Sequence, residues 1–283
     1  MAPARPCPAC GHTEARDAFT VDGYLHVRCT RCATLFVARL PTAAQLESLY
    51  LDPNYHSSAA GQEQRMRGEA DERARILQAY GCRAVLEVGC GPGHFLDAVR
   101  DLGMAVEGVD RAPTAAGPRA RGHLVHDVWL QDLAPAQRFD AVALWEVIEH
   151  LADPKDMLLQ VRRFLRPGGL LALSTPSSSG LPARLMGRRF VMVCPPDHLE
   201  LFSRRGLATL LADTGFEPRR WTSFSGLGRE PLRRGFQRFL LGNSRPAQFV
   251  AGALAVAAEL PMKLVDRAGQ GSGFEVYATL RGS

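Results

Sequence analysis

The sequence predicts an α/β fold: a seven-stranded, mostly parallel sheet behind an N-terminal four-cysteine ribbon, with a helical insertion before the last strand. Three observations predict it. Between residues 83 and 175, apolar strand-like runs alternate with helical or turn-rich stretches, the rhythm of a parallel sheet wrapped by helices. The first of these runs passes directly into a glycine-rich loop, G-C-G-P-G, at 89–93. Near the start, two C-x-x-C pairs (Cys7 and Cys10, Cys29 and Cys32) enclose 18 residues.

Length and composition set the outer limits. At 283 residues the chain has room for one or two domains and can bury enough surface to fold without cross-links. With 46% apolar and 22% charged residues, it is neither a coiled coil nor a collagen nor a disordered chain. The net charge of +5 is carried by arginine, since Lys155 and Lys263 are the only lysines. Between Arg184 and Arg238 stand eleven arginines against five acidic residues, so an anionic partner would meet the protein there; a solvated basic face is the alternative. MAPARPCPACG lacks the apolar core of a signal peptide, and FVAGALAVAAELPM (249–262) is short for a bilayer span and interrupted by Pro261. Both features place the protein in the cytoplasm.

The elements follow in order. Residues 1–38 form the ribbon. Four thiolates at Cys7, Cys10, Cys29 and Cys32 suit a closed tetrahedral zinc site of structural character, and AFTVDGYLHVRC between them reads as a hairpin turning at Asp22-Gly23. Two disulfides are the alternative, disfavoured in a reducing cytosol. Cys82, Cys90 and Cys194 have no matching partners and read as ordinary small side chains. Residues 39–82 form a helical linker or lid, with helices at 41–50 and 62–81. The domain proper, 83–283, has strands at 83–88, 105–110, 123–127, 139–145, 168–175, 216–224 and 274–281. Asp153 and Pro154 open the helix before the fifth strand, and Ser203 opens the one before the sixth. The 49 residues 225–273 exceed a plain loop and must carry structure of their own.

The glycine loop carries the chemistry. Glycines at 89, 91 and 93 let backbone approach a ligand where a strand becomes a helix. The dinucleotide pattern would require a glycine at 94, where His94 stands. A second strand ends at Asp110, 21 residues after Gly89, placed to accept both hydroxyls of a ribose; a third ends at Asp127, placed to meet an adenine.

On these residues the chain resembles the class I S-adenosylmethionine-dependent methyltransferases over roughly 83–224. E-V-G-C-G-P-G is similar to their first motif, F-D-A-V-A-L-W-E-V-I-E-H-L (139–151) to the fourth, and L-R-P-G-G-L-L (165–171) to the sixth. The resemblance implies a Rossmann-like methyltransferase sheet that binds S-adenosylmethionine. It puts Glu87 and Gly89 at the methionine end, Asp110 at the ribose, and Asp127 with Val128 at the adenine, and counts Cys90, Gly91, Gly93 and Trp145 among the other residues that bind the cofactor. The cysteine pairs, P-T-A-A-Q-L-E-S-L-Y, N-Y-H, M-G-R-R, P-P-D-H-L and L-F-S resemble a zinc-ribbon subfamily of bacterial methyltransferases, many of which act on sugars, polysaccharide precursors or secondary metabolites. Ala33 stands where that subfamily has glycine, and RAPTAAGPRARG (111–122) is poor material for the helix expected there.

A sulfonium already activates its methyl group, so the protein mainly aligns a nucleophile, which is worth roughly 7–11 kcal/mol. A hydroxyl also needs its proton removed. Glu146, Glu149 and His150 share a face if 146–151 is helical, and His198 lies in the loop after the fifth strand. Either His198 or His150 is the general base, or these groups hold a divalent metal that acidifies the hydroxyl. E-x-x-E-H resembles the metal-holding motif of ubiquinone-pathway O-methyltransferases and RNA 3′-terminal 2′-O-methyltransferases; the helix simply lining the pocket is the third reading. Tyr50, Tyr55 and His56 belong to a lid or to ordinary packing. REPLRRGFQRFLLG (229–242) and AQFVAGALAVAAEL (247–260) form a cap or a dimer contact, or rest on a membrane and serve a lipid-linked acceptor.

The expected function is methyl transfer to a small-molecule hydroxyl, the acceptor neutral, anionic or lipid-linked. N- or C-methylation, an RNA methyltransferase and a non-catalytic binding module are the alternatives. RNA is disfavoured because aromatics for stacking bases make up only 7% of the chain.

Overall fold

A computed structural model describes residues 5–52, 63–135, 137–225 and 244–281. Two sheets organise them. The larger is the expected seven-stranded sheet. In chain order its strands are β4 (Ala84–Val88), β5 (Ala105–Val109), β6 (Val125–His126), β7 (Phe139–Trp145), β8 (Leu165–Pro176), β10 (Phe216–Phe224) and β11 (Gly273–Leu280). In space they run β10-β11-β8-β7-β4-β5-β6. Strands β6, β5, β4, β7 and β8 pair in parallel, while β11 enters antiparallel between β8 and β10. The strand order reverses between β4 and β7, and the crevice above that switch is where such sheets bind ligands.

The central strands are apolar because both faces are covered. Every residue of β7 except Asp140 is buried, and so are Val85–Val88 of β4. Helices α2 (Glu63–Ala79), α3 (His94–Asp101), α5 (Pro154–Phe164) and α7 (Arg204–Asp213) supply the cover. The two predicted helix starts hold: Asp153 accepts the Asp156 N–H at 2.9 Å and Ser203 the Gly206 N–H at 2.8 Å. The 111–122 stretch yields only one 3-10 turn and the five-residue α4 (Ala116–Ala120), as its proline and glycine content dictates. In the insertion, α8 (Arg245–Arg267) passes through Pro261 instead of stopping there, so the proline does not interrupt the apolar stretch as the sequence suggested. REPLRRGFQRFLLG, Tyr55 and His56 lie outside the described residues. Among the described residues no helix is long and apolar enough to cross a membrane.

The smaller sheet is the ribbon: β1 (Ala15–Val21), β2 (Tyr24–Cys29) and β3 (Leu35–Val37). Asp22 and Gly23 make the predicted turn between β1 and β2. The sheet has a fourth strand the sequence did not announce. β9 (Glu200–Leu201), far along the chain between β8 and β10, pairs with β3, Leu35 opposite Leu201 and Phe36 opposite Glu200. One apolar cluster accordingly contains both Cys7, Cys29, Cys32 and Phe36 of the ribbon and Leu86, Val142, Phe202 and Phe274 of the domain.

Candidate active site

A cavity of about 800 Å³ opens over the carboxyl ends of β4, β5 and β7. Glu87, Gly89, Cys90, Gly91, Asp110, Val128 and Trp145, all expected from the sequence, line it. Gly89 is held at φ +73°, and a Cβ there would lie 2.7 Å from Val147, so only glycine fits. Its N–H donates to the Val109 carbonyl at 2.8 Å, which ties the loop to β5. Both oxygens of Asp110 brace the same loop: Oδ2 accepts the Gly91 N–H at 2.6 Å and Oδ1 the Ala112 N–H at 2.7 Å. Glu87 is buried with Oε2 lacking a hydrogen-bond partner; burial, reinforced by Asp110, holds its carboxyl well above the usual range. Burial likewise pushes the Cys90 thiol up, and its sulfur fills the space a side chain at Gly108 would need.

Two expected cofactor residues stand outside the cavity. Gly93 is the N-cap of α3 and faces Pro118. Asp127 turns to solvent, its side chain 67% exposed and 3.8 Å from Arg119. Both residues lie past the end of the two-residue β6, and of the two only Val128 lines the cavity.

Other lining residues come from the N-terminal helices, where local motifs gave no signal. Arg73 of α2 lays its guanidinium 4.4 Å over the Trp145 ring and pairs with Glu275 at 2.9 Å. Arg65, Met66 and Glu69 of the same helix also face the cavity. Tyr50, at the end of α1 (Ala43–Tyr50), donates its hydroxyl to the His150 carbonyl at 2.7 Å. Arg111 lies 4.8 Å over the Trp129 ring and pairs with Glu47.

The expected catalytic residues separate into two positions. Residues 146–151 are not a helix: Glu146 adopts φ +53°, its N–H donates to Ser174 Oγ, and only Ile148–His150 form a 3-10 turn. Glu146 and His150 therefore line the cavity, whereas Glu149 points inward and is fully buried. Neither Glu149 oxygen has a hydrogen bond of full geometry among the described residues, though the neighbouring Thr175 hydroxyl favours its ionised form; burial and Glu146 together hold the carboxyl well above the usual range. Ligand atoms of Glu149, His150 and His198 all lie within 4.8 Å of one another, and Glu146 is not of that group. His150 Nδ1 faces the Asp197 carboxylate at 2.8 Å and its main-chain oxygen at 2.9 Å. Burial alone would lower this imidazole, but Asp197 and Glu149 lift it to about 9. His198 is 8% exposed, donates Nδ1–H to the Met192 carbonyl at 2.8 Å, and is held by burial and by His150 at about 4. It stands behind His150, ring centroids 4.7 Å apart, and does not itself line the cavity.

The four ribbon cysteines are free thiols whose sulfurs all lie within 4.8 Å of one another. Cys7 and Cys32 Sγ are 3.6 Å apart, Cys10 and Cys29 3.7 Å. Each pair forms a knuckle closed by one backbone bond, Gly11 N–H to the Cys7 carbonyl and Ala33 N–H to the Cys29 carbonyl. Both closing residues are left-handed, at φ +68° and +66°.

Residues 57–220 match the methyltransferase domain family. The chain belongs to that family. Its fold is that of the class I S-adenosylmethionine-dependent methyltransferases. Among curated proteins, it is 33% identical over 151 residues to a ubiquinone biosynthesis O-methyltransferase of Cereibacter sphaeroides, covering 47% of this chain and 60% of that one. A Bradyrhizobium enzyme of the same name is 32% identical over 114 residues, covering 37% and 44%. The match thus spans about half the length of these relatives. Solved structures share the fold. A Burkholderia thailandensis 1,6-didemethyltoxoflavin-N1-methyltransferase superposes with TM-score 0.54 at 16% identity, covering 95% of this chain and all of that one. An Archaeoglobus fulgidus S-adenosylmethionine-dependent methyltransferase gives 0.51 at 20% identity, covering 75% and 94%.

Proposed function

We propose that this methyltransferase transfers the methyl group to a hydroxyl of a small molecule, and that Glu149, His150 and His198 hold a divalent cation beside that hydroxyl. The observation that carries the second half is Glu149: a fully buried carboxyl with no hydrogen bond of full geometry, held well above the usual range by burial and set within reach of two imidazoles. A buried carboxylate in that state is costly unless a cation or proton satisfies it. Ligation would use neutral imidazoles: His198 is held in that form, while His150, lifted to about 9 by Asp197 and Glu149, would give up its proton to the cation. A cation held there would acidify a bound hydroxyl. The O-methyltransferase relatives support oxygen as the acceptor atom. A sugar, polysaccharide precursor or other natural product is the acceptor class we favour, with N- and C-methylation as the competing outcomes.

The residues of the cavity fit S-adenosylmethionine, which supplies an activated methyl on its sulfonium. Glu87, with an unpartnered oxygen, would receive the methionine ammonium, Asp110 the ribose hydroxyls, and Val128 the adenine. Arg73 and Trp145 would close the methionine side and exclude water. Glu146 and His150 then border the methyl-transfer position from β7. In the ribbon, sulfur separations of 3.6–3.7 Å suit tetrahedral zinc–thiolate bonds of about 2.3 Å, so we propose structural zinc and membership of the zinc-ribbon subfamily. Around α6 (Leu181–Met186), exposed Arg184, Arg188 and Arg189 beside exposed Leu185 and Val191 support an anionic or lipid-linked acceptor.

The test is native mass spectrometry and calorimetry with S-adenosylhomocysteine and Mn²⁺, followed by product analysis on hydroxyl, amine and carbon acceptors. One zinc per chain, one product bound, and Mn²⁺ binding lost in Glu149→Gln and His198→Asn are expected. Retained Mn²⁺ binding in both variants would remove the cation site. Transfer to amines alone would remove O-methylation.

A further inference from the structure

The ribbon is fastened to the very segments that carry Glu149, His150 and His198. Arg5, two residues before Cys7, donates to three places at once: the Val37 carbonyl in β3 at 3.2 Å, the Ala152 carbonyl at 3.3 Å, and Glu200 of β9 at 2.5 Å. Ala152 lies two residues past His150, and Glu200 two residues past His198. Between these points runs a line of backbone bonds: Val37 N–H to the Leu199 carbonyl at 3.0 Å, then Leu199 N–H to the Glu149 carbonyl at 2.8 Å. The second knuckle adds its own ties. Ser203 Oγ donates to the Cys32 carbonyl and Ser178 Oγ to the Ala33 carbonyl. The fit is tight, since a Cβ at Gly206 would lie 2.1 Å from Thr34 Oγ1. On the remaining side, Leu35 of the ribbon packs with Phe190, Val193 and Leu201, so the loop whose Met192 carbonyl orients His198 also rests on the ribbon.

We infer that Arg5 is a positioning residue for the Glu149–His150–His198 group, and that the ribbon is the frame of the acceptor half of the active site. The three groups Arg5 bonds belong to β3, the turn after His150 and β9, and none belongs to the glycine loop or to α2. Cofactor binding and acceptor-side geometry are therefore separable through this residue. The inference rests on the reading that transfer occurs beside Glu149 and His150.

The test uses the full chain with its ribbon metal bound and two variants. Arg5→Lys keeps a cation for Glu200 but cannot span all three acceptors; Arg5→Met with Glu200→Gln removes the buried pair as a unit. Calorimetry with S-adenosylhomocysteine reports the cofactor half. The ¹³C-labelled imidazole signals of His150 and His198, and hydrogen exchange of 147–152 and 198–201, report the acceptor half. In Arg5→Lys we expect product affinity within about two-fold of the parent and roughly tenfold faster exchange at 198–201. Both imidazole signals should shift while exchange in β4 and β5 stays unchanged. Unmoved imidazole signals and exchange in both variants would overturn the inference. Parallel loss of product affinity and protection along the whole chain would also overturn it, by making Arg5 a general stabiliser. No readout needs acceptor or cation, so the Mn²⁺ titration can fail while this inference stands, and the reverse.

Discussion

Gly11 and Ala33 occupy equivalent places in the two knuckles, which makes them a reciprocal experiment on backbone strain. Each closes its knuckle by donating its N–H, at 2.8 Å and 3.0 Å, and each is left-handed at nearly the same φ. Both are exposed, and a Cβ built on Gly11 meets nothing within 4 Å, so packing contributes little to either substitution. The left-handed conformation costs an L residue about 1–2 kcal/mol. Glycine avoids that cost but loses about 0.5–1 kcal/mol through its freer unfolded chain. Ala33→Gly should therefore stabilise the ribbon by about 0.5–1 kcal/mol, and Gly11→Ala should destabilise it by a similar amount. Hydrogen exchange of the Cys29–Leu35 and Cys7–His12 amides reads local opening directly. Protection should rise severalfold in the first variant and fall severalfold in the second, about a factor of five per kcal/mol. The double variant should return close to the parent overall. Two changes of the same sign, or no change in either, would refute the argument that φ alone sets the energy here.

Further predictions concern the domain. Gly89→Ala must relieve both a positive φ and a 2.7 Å contact with Val147, so product affinity should fall roughly 10–100-fold by calorimetry. Gly103→Ala, also at positive φ but in open space, should cost stability without touching affinity. Arg73→Met leaves Glu275 without its cation and uncovers Trp145; weaker product binding and a brighter, red-shifted tryptophan spectrum are expected. Asp140 offers a pH test. Burial works against its ionised form, but the N–H groups of Arg83 and Ala84 and the Arg166 guanidinium together hold its carboxyl below the usual range. Its stabilisation is complete above the ordinary carboxylate pKa and fades as pH falls through the depressed folded value. Asp140→Asn should therefore be less stable than the parent at neutral pH, with the gap in denaturant midpoint closing in acid.

Much of this was legible in local sequence. Strand β7 and the glycine loop announce themselves because burial on both faces writes an unbroken apolar run, and because a strand-to-helix turn over a ligand leaves few residue choices. Asp153, Ser203 and the two knuckles are equally local: the first two are side chains that accept a backbone N–H three residues on, and each knuckle is closed by a backbone bond across four residues. What stayed hidden was long-range. Arg73 meets Trp145 and Glu275 across 72 and 202 residues, and neither separation leaves a pattern in the helix that carries Arg73. The 146–151 turn was misread for a different reason. E-V-I-E-H-L fits helical spacing, yet Ser174 captures the Glu146 N–H and the chain reverses, so spacing alone put Glu149 on the wrong side. β9 is two residues long, too short to have a period at all.

That short strand also decides how the ribbon must be regarded energetically. A chain beginning at residue 39 would lose β3 and uncover the edge of β9, together with the faces of Phe202, Leu207 and Leu210 that pack in the shared apolar cluster. It would also strip Glu200, buried in the intact chain, of its Arg5 partner. Losing a large buried aromatic such as Phe36 costs about 3–5 kcal/mol, and stranding one partner of a buried ion pair costs about as much again. Their sum is comparable with the whole stability of an ordinary domain, about 5–15 kcal/mol. The shortened chain should be insoluble or should bind a hydrophobic dye strongly, with product affinity lost. A monodisperse 39–283 chain that binds S-adenosylhomocysteine like the parent would mean the ribbon is an appendage. In that event the ties through Arg5, Leu199 and Ser203 would have to be surface contacts of little energetic weight, which their burial argues against.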